Sequence, residues 1–329
     1  MKHSNISIFV AHAGCPHTCS FCNQRTISGS CEIPSGEDVK AVCSKAMSEV
    51  RSPENTEIAF FGGSFTAIPR DCMTELLESA HSFTGEGKFR GIRISTRPDC
   101  IDTEVLELLK KYGVTAIELG AQSMDDRVLE LNERGHTSDD VVNSAHLIKK
   151  YGFELGLQMM TGLYGSDCEK DMMTFERLRK LYPDTMRIYP VVILRGTKLA
   201  ELYESGEYKP CTFDEMTELC SVLMERAEYN KIRLIKVGLH ASEFVEKDMA
   251  GGFYHPAFRE LCEGKIYLRK FLQLAKGYSF LEVSVPSCNL SKATGQKKCN
   301  KEYFKSIGKE LRIVSDSTQT ESIKLIERR

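Results

Sequence analysis

Short apolar runs alternate with amphipathic stretches along most of the chain. Residues 6–10, 58–61, 91–95, 114–119, 153–160, 185–194 and 234–239 each read as strands, since apolar and β-branched residues run together for a strand's length before a break. Helical spacing fills the intervals. It covers 39–50 behind Ser35 and Glu37-Asp38, 103–111 behind Asp102 with Gly113 as its stop, and 125–131. Further helices run from Ser138 to Gly152, over 167–181 and over 214–231. Repeated strand–helix units with short turns predict a parallel α/β sheet, open or closed into a barrel. The alternation fades after Gly238, and the region from Phe253-Tyr254-His255-Pro256 onward is less periodic. The expected organisation is a core over 1–240 and a C-terminal extension over 241–329, placed over the substrate mouth.

Composition narrows the class. With 41% hydrophobic and 27% charged residues in 329, the chain reads as a globular protein able to bury a large core. A net charge of −2 gives no global pull toward nucleic acid or an anionic membrane. No apolar stretch reaches the roughly eighteen residues of a membrane span, and the first ten residues do not read as a signal peptide. Thirteen cysteines without an export signal imply free thiols in a reducing, cytoplasmic setting. The tail differs: residues 286–329 hold ten Lys or Arg against five Asp or Glu, densest around Gln296-Lys297-Lys298. That is either an electrostatic footprint for RNA or a solvated basic face.

Chemistry concentrates in Gly14-Cys15-Pro16-His17-Thr18-Cys19-Ser20-Phe21-Cys22. Soft thiolates at C-x-x-x-C-x-x-C spacing select zinc or an iron–sulfur cluster. A closed zinc site wants four ligands, and no fourth Cys or His follows at finger-like spacing, while His17 lies awkwardly inside the loop. A 4Fe-4S cube on Cys15, Cys19 and Cys22 leaves one iron open for a ligand. Three buried structural cysteines, or a zinc loop completed from afar, are the alternatives on spacing alone. The loop follows the first strand, the position where barrels gather chemistry. Gly62-Gly63-Ser64 follows the second, where paired glycines let backbone approach a ligand, or simply make a tight turn. His136, His240 and His255 are isolated and read as structural or surface residues. The other ten cysteines read as small buried hydrophobes rather than a second cluster.

These residues resemble the radical S-adenosylmethionine (radical SAM) superfamily. The cysteine loop with Phe21 before its third Cys is similar to that family's signature, and Gly62-Gly63-Ser64 stands where its Gly-Gly-Glu motif stands. More narrowly, Phe60-Phe61-Gly62-Gly63-Ser64-Phe65, Ser95-Thr96-Arg97-Pro98-Asp99, Glu118-Leu119-Gly120-Ala121-Gln122-Ser123 and Arg187-Ile188-Tyr189-Pro190 resemble the radical SAM half of the Elongator catalytic subunit. The likeness covers roughly residues 6–240; the first-cysteine spacing departs from the Elongator type, and Ser64 replaces the usual Glu. The resemblance implies a partial (β/α)6 TIM-like barrel holding a 4Fe-4S cluster and S-adenosylmethionine. It implies Phe21, Gly62, Gly63, Ser64, Thr96, Arg97, Gln122, Ser123 and Thr161 as cofactor contacts, with Tyr189 and Arg195 on the substrate side. On the residues alone, Arg97 pairing with Asp99 or Glu118 and Tyr189 as a packing residue are the bland readings. The implied partners are an electron donor of flavodoxin or ferredoxin type and tRNA. A small-molecule substrate such as a tetrapyrrole precursor stays open, as does a non-catalytic iron–sulfur redox sensor or RNA-binding protein. Residues 240–329 offer no glycine-rich pyrophosphate loop, so acetyl-CoA is not expected to bind this chain.

Overall fold

The computed structural model describes residues 4–10, 15, 18–23, 33–240 and 242–329. Strands β1 (Ser4–Val10), β2 (Thr56–Gly62), β3 (Gly91–Thr96), β4 (Val114–Gln122), β5 (Glu154–Thr161), β6 (Thr185–Pro190), β7 (Val192–Leu194) and β8 (Arg233–Val237) come first. Seven of them form one sheet in the order β1-β2-β3-β4-β5-β6-β8, parallel at every pairing. The sheet curls into a half-barrel, and each of the seven strand runs read in the sequence supplies one of its strands.

Parity along the strands divides the sheet into two faces. Ile8, Ile58, Phe60, Ile92, Ile94, Ile117, Leu119, Leu155, Leu157, Met186 and Ile188 point to the helices and form the buried core. The alternate residues face the concave side and are polar to an unusual degree: Glu57, Arg93, Glu118, Gln158, Arg187 and Lys236. Arg93 is fully buried there and bonds Glu57 and Glu154 at 2.7 Å each, with Glu118 at 3.4 Å. A buried charge persists only when paired in this way.

The helices begin where side chains cap them. Asp38, Asp140 and Glu215 close capping boxes with Ser35, Thr137 and Thr212, and Asp102 and Asp167 cap two more. Each cap contributes about 1 kcal/mol by satisfying an otherwise orphaned N–H. Helices Gly36–Glu49, Arg70–His81, Thr103–Lys111, Ser138–Lys150, Cys168–Arg179 and Phe213–Tyr229 thus cover the convex face. None of the helices in the described residues is long and apolar enough to cross a membrane.

The single strand expected over 185–194 is two. Pro190 has no N–H to extend the ladder, and Val191 donates to the Thr161 carbonyl at 2.9 Å. The chain then leaves the sheet, and β7 pairs antiparallel with β9 (Met249–Gly252). Beyond it, β10 (Phe280–Pro286) pairs parallel with β11 (Glu310–Asp316) and antiparallel with β12 (Lys324–Arg328). This module has its own core of Phe271, Leu281, Val283, Val285, Phe304 and Ile313. Helix Phe258–Leu274 joins the two cores: Phe258 and Cys262 belong to the first, Tyr267 and Phe271 to the second. Among the described residues none after His240 lines the half-barrel's cavity.

Candidate functional site at the mouth of the half-barrel

A cavity of about 660 Å³ opens at the C-terminal ends of the strands and is lined from both sheet edges. Cys15, Cys19 and Cys22 all line it, as do Phe21, Gly62, Gly63, Ser64, Thr96, Arg97, Gln122 and Tyr189. The topology thus gathers eleven of the fourteen residues singled out in the sequence. Pro16, His17 and Cys31 lie outside the described residues.

The cysteine loop is strapped to a distant turn. Ser20 donates from its backbone N–H to the Asn132 carbonyl at 3.2 Å and from its hydroxyl to Asn132 Oδ1 at 2.9 Å. Asn132 is fully buried and donates in turn to the Val128 and Tyr164 carbonyls. Two residues on, Arg134 Nη1 donates to Cys19 Sγ at 3.0 Å and Nη2 to the Gly120 carbonyl at 2.8 Å. Leu199 N–H secures the far side of the loop on the Ser20 carbonyl at 2.8 Å. Burial pushes the Cys15 thiol up, against the Ser64 backbone N–H, Arg97 and Arg134, which pull it down.

The glycine turn after β2 is equally constrained. Gly62 has φ +116°, and a Cβ there would stand 2.8 Å from the Val10 carbonyl oxygen, which accepts from Gly63 N–H at 2.8 Å. Ser64 Oγ lies 2.9 Å from Thr96 Oγ1 and accepts from Arg97 N–H at 3.2 Å. Its hydroxyl therefore braces the β2 and β3 ends against each other. Arg97 forms a two-pronged pair with Asp99, Nε and Nη2 each at 2.9 Å, as the bland reading had it. Its Nη1, however, is buried with no partner among the described residues, as are Gln122 Oε1 and Arg134 Nε. Buried polar atoms without partners are costly and rare.

On the other wall Arg187 donates from Nε and Nη2 to Glu118 at 2.6 and 2.9 Å, and Gln158 donates to the same carboxylate at 2.8 Å. The Arg187 guanidinium lies over the Phe61 ring at 4.9 Å, and its Nη1 approaches Tyr189 Oη at 3.4 Å. Burial pushes the Tyr189 phenol up, against the pull of Arg187.

Three expected residues are not brought to the cavity. Thr161 follows inward-facing Gln158 and Met160 by odd parity, so it points outward and donates to Met216 Sδ at 3.1 Å. Ser123 follows Gln122, whose φ of 63° turns the chain, and its hydroxyl accepts from Asp125 N–H at 3.1 Å. Arg195 lies beyond the break at Val191, exposed, donating from Nη1 to the Lys247 carbonyl at 3.0 Å. In their place the cavity contains Arg134, Gln158, Arg187, Lys236 and His240. The inward parity of β5, β6 and β8 marks Gln158, Arg187 and Lys236. No local pattern marks Arg134 or His240.

The site is thus a parallel half-barrel with three thiols lining its mouth. A model of the radical SAM superfamily matches residues 10–177, and one of the Radical_SAM C-terminal domain matches residues 183–267. The chain belongs to the radical SAM superfamily and is an enzyme. It is 32% identical to a tRNA uridine(34) acetyltransferase of Methanocaldococcus jannaschii over 53% of its own length and 36% of the relative's. An uncharacterized protein of the same organism is 32% identical over 66% of this chain and 70% of the relative. The fold matches the Elp3 structure from Methanocaldococcus infernus with a TM-score of 0.55 at 20% identity, covering 74% of this chain and 61% of that one. The chain spans between about a third and a half of the length of the tRNA acetyltransferases it matches.

Proposed function

We propose that this enzyme binds a 4Fe-4S cluster through Cys15, Cys19 and Cys22, binds S-adenosylmethionine beside it, and modifies RNA of the tRNA class. The observation that carries the reading is the coincidence, in one cavity, of three thiols with the unpartnered buried atoms Arg97 Nη1, Gln122 Oε1 and Arg134 Nε. Two donors and one acceptor are what a ligand with a carboxylate and polar ring atoms would satisfy. Among the described residues no three Cys, His, Asp or Glu side chains are gathered tightly enough to hold one ion. In a cubane each thiolate would meet a different iron, and Cys15, Cys19 and Cys22 supply three such donors to one cavity.

Bound there, the cluster and S-adenosylmethionine supply a one-electron reductive cleavage giving methionine and a 5′-deoxyadenosyl radical. The protein's own share is orientation and exclusion of water. The bend at Gly62 leads the backbone of Gly63 and Ser64 into the cavity, where it can receive the methionyl amino group, and Arg97 Nη1 can take the carboxylate. Asp99 fixes the Arg97 fork, which makes the open donor directional. Phe21, Phe9, Phe61 and Met160 keep the chamber apolar around the reacting atoms. Tyr189 and Arg187 close the substrate wall; Arg195, remote from it, is not assigned a role.

The RNA assignment follows the tRNA-modifying relatives, and the electron would come from a flavodoxin- or ferredoxin-type donor in the cytoplasm. Residues 1–240 are read as the catalytic core and 241–329 as an accessory extension. The test is to reduce the reconstituted enzyme with dithionite, add S-adenosylmethionine and separate the products. 5′-Deoxyadenosine and methionine are expected, whereas methylthioadenosine as the main product would mean a different bond is broken. Salt-sensitive retention of bulk tRNA tests the substrate class, and its absence would favour a small molecule.

A further inference from the structure

Two basic side chains at the β8 edge of the cavity are not accounted for by this reading. Lys236 faces the cavity from β8 directly opposite Arg187 of β6. Like charges opposed across neighbouring strands repel. Arg187 is compensated by two bonds to Glu118, but Lys236 has no hydrogen bond or ion pair to any described residue. Four residues on, His240 lines the same cavity and likewise lacks a described partner. Among the described residues no carboxylate offsets this corner: Arg259, the other charge acting on Lys236, is also cationic. Both groups are held below their ordinary pKa values, chiefly by burial, then by Arg187 and Arg259 for Lys236 and by Lys236 for His240. A half-buried ammonium facing a second cation, with an exposed imidazole beside it, is an arrangement that an anion would relieve.

We propose that Lys236 and His240 form a subsite for the phosphate group of the substrate. This rests on the cavity being the reaction chamber, but not on which bond is broken there. Phosphate fits better than carboxylate. The planar fork suited to a carboxylate, Arg187, is already spent on Glu118, and what remains is a compact ammonium, a good point-charge partner for phosphate. Phe9, paired in register with the Phe61 that Arg187 stacks upon, lines the same chamber and offers a ring face for whatever base or ring carries that phosphate.

The test uses the full chain and two phosphate sources. A fluorescein-labelled single-stranded oligoribonucleotide is titrated by anisotropy, and a free nucleoside 5′-monophosphate by calorimetry, with the unphosphorylated nucleoside as control. Lys236→Met should weaken binding of the phosphate-bearing probe roughly tenfold and reduce the slope of log K against log salt by about 0.7. Lys236→Arg, which keeps the charge, should stay within about threefold of wild type, and the control nucleoside should not distinguish the proteins. Binding of the oligomer alone assigns the phosphate to RNA; binding of the monophosphate assigns it to a small molecule. Unchanged affinity and slope in Lys236→Met, equal losses in Lys236→Arg, or no binding of either probe by wild type would overturn the subsite. Because these titrations need no turnover, a protein that binds phosphate as described but never cleaves S-adenosylmethionine sinks the cofactor reading and leaves the subsite standing.

Discussion

Arg134 donates from Nη1 to the sulfur of Cys19 at 3.0 Å while its Nη2 holds the Gly120 carbonyl at 2.8 Å, linking the cysteine loop to the fourth strand. A charged donor on a cluster thiolate stabilises the more negative, reduced state and so raises the reduction potential. Arg134→Gln should therefore lower the cluster's potential by roughly 50–100 mV, taking a charged hydrogen bond as worth a few kcal/mol and 59 mV per tenfold for one electron. Potentiometric titration followed by electron paramagnetic resonance would check it. An unchanged potential would mean the contact is merely structural.

The turn after β2 tolerates no side chain at Gly62. Its φ of +116° is strained for other residues, and the atom a Cβ would strike is backbone, the Val10 oxygen, so nothing can swing aside. Gly62→Ala should cost about 2–4 kcal/mol, read as a lower urea midpoint with an unchanged slope. A variant as stable as wild type would show that β1 can move away from β2.

His136 supplies a pH dependence. Its Nε2 donates to the Ala121 carbonyl at 3.2 Å, leaving Nδ1 buried without a partner. Burial, and then the Arg134 charge, bring the imidazole pKa down to about 4. The unfolded chain takes up this proton near pH 6.5 and the native one only near pH 4. Stability from this group is thus complete above pH 6.5 and is lost as pH falls toward 4, by about 3 kcal/mol in all. His136→Gln, which keeps a donor for Ala121, should flatten the stability profile over that window. A profile as steep as wild type would assign the loss to other groups.

The strands, most helix starts and the three-thiol loop were legible because each is a local pattern: parity, caps and cysteine spacing. Strand parity turns Thr161 outward, since it stands one place past inward Met160 and three past inward Gln158. Ser123 lies off the cavity because the left-handed Gln122 before it turns the chain. Arg195 lies off the cavity because the sheet strand ends at Pro190, a break that the run of apolar residues through 194 hides. Arg134 and Asn132 were invisible for a different reason. They meet the cysteine loop across more than a hundred residues, and only the closed fold puts them there. The less periodic tail hid a three-stranded module whose central strand, β10, pairs with one parallel and one antiparallel neighbour.

The central claim is that Cys15, Cys19 and Cys22 hold one 4Fe-4S cluster with an iron left open. Metal and acid-labile sulfide content after anaerobic reconstitution, in wild type and in the triple Cys→Ala variant, tests it most directly. The account predicts about four irons and four sulfides per wild-type chain and essentially none in a variant that keeps its fold by circular dichroism. One zinc without sulfide in wild type, or full iron content in the triple variant, would contradict it.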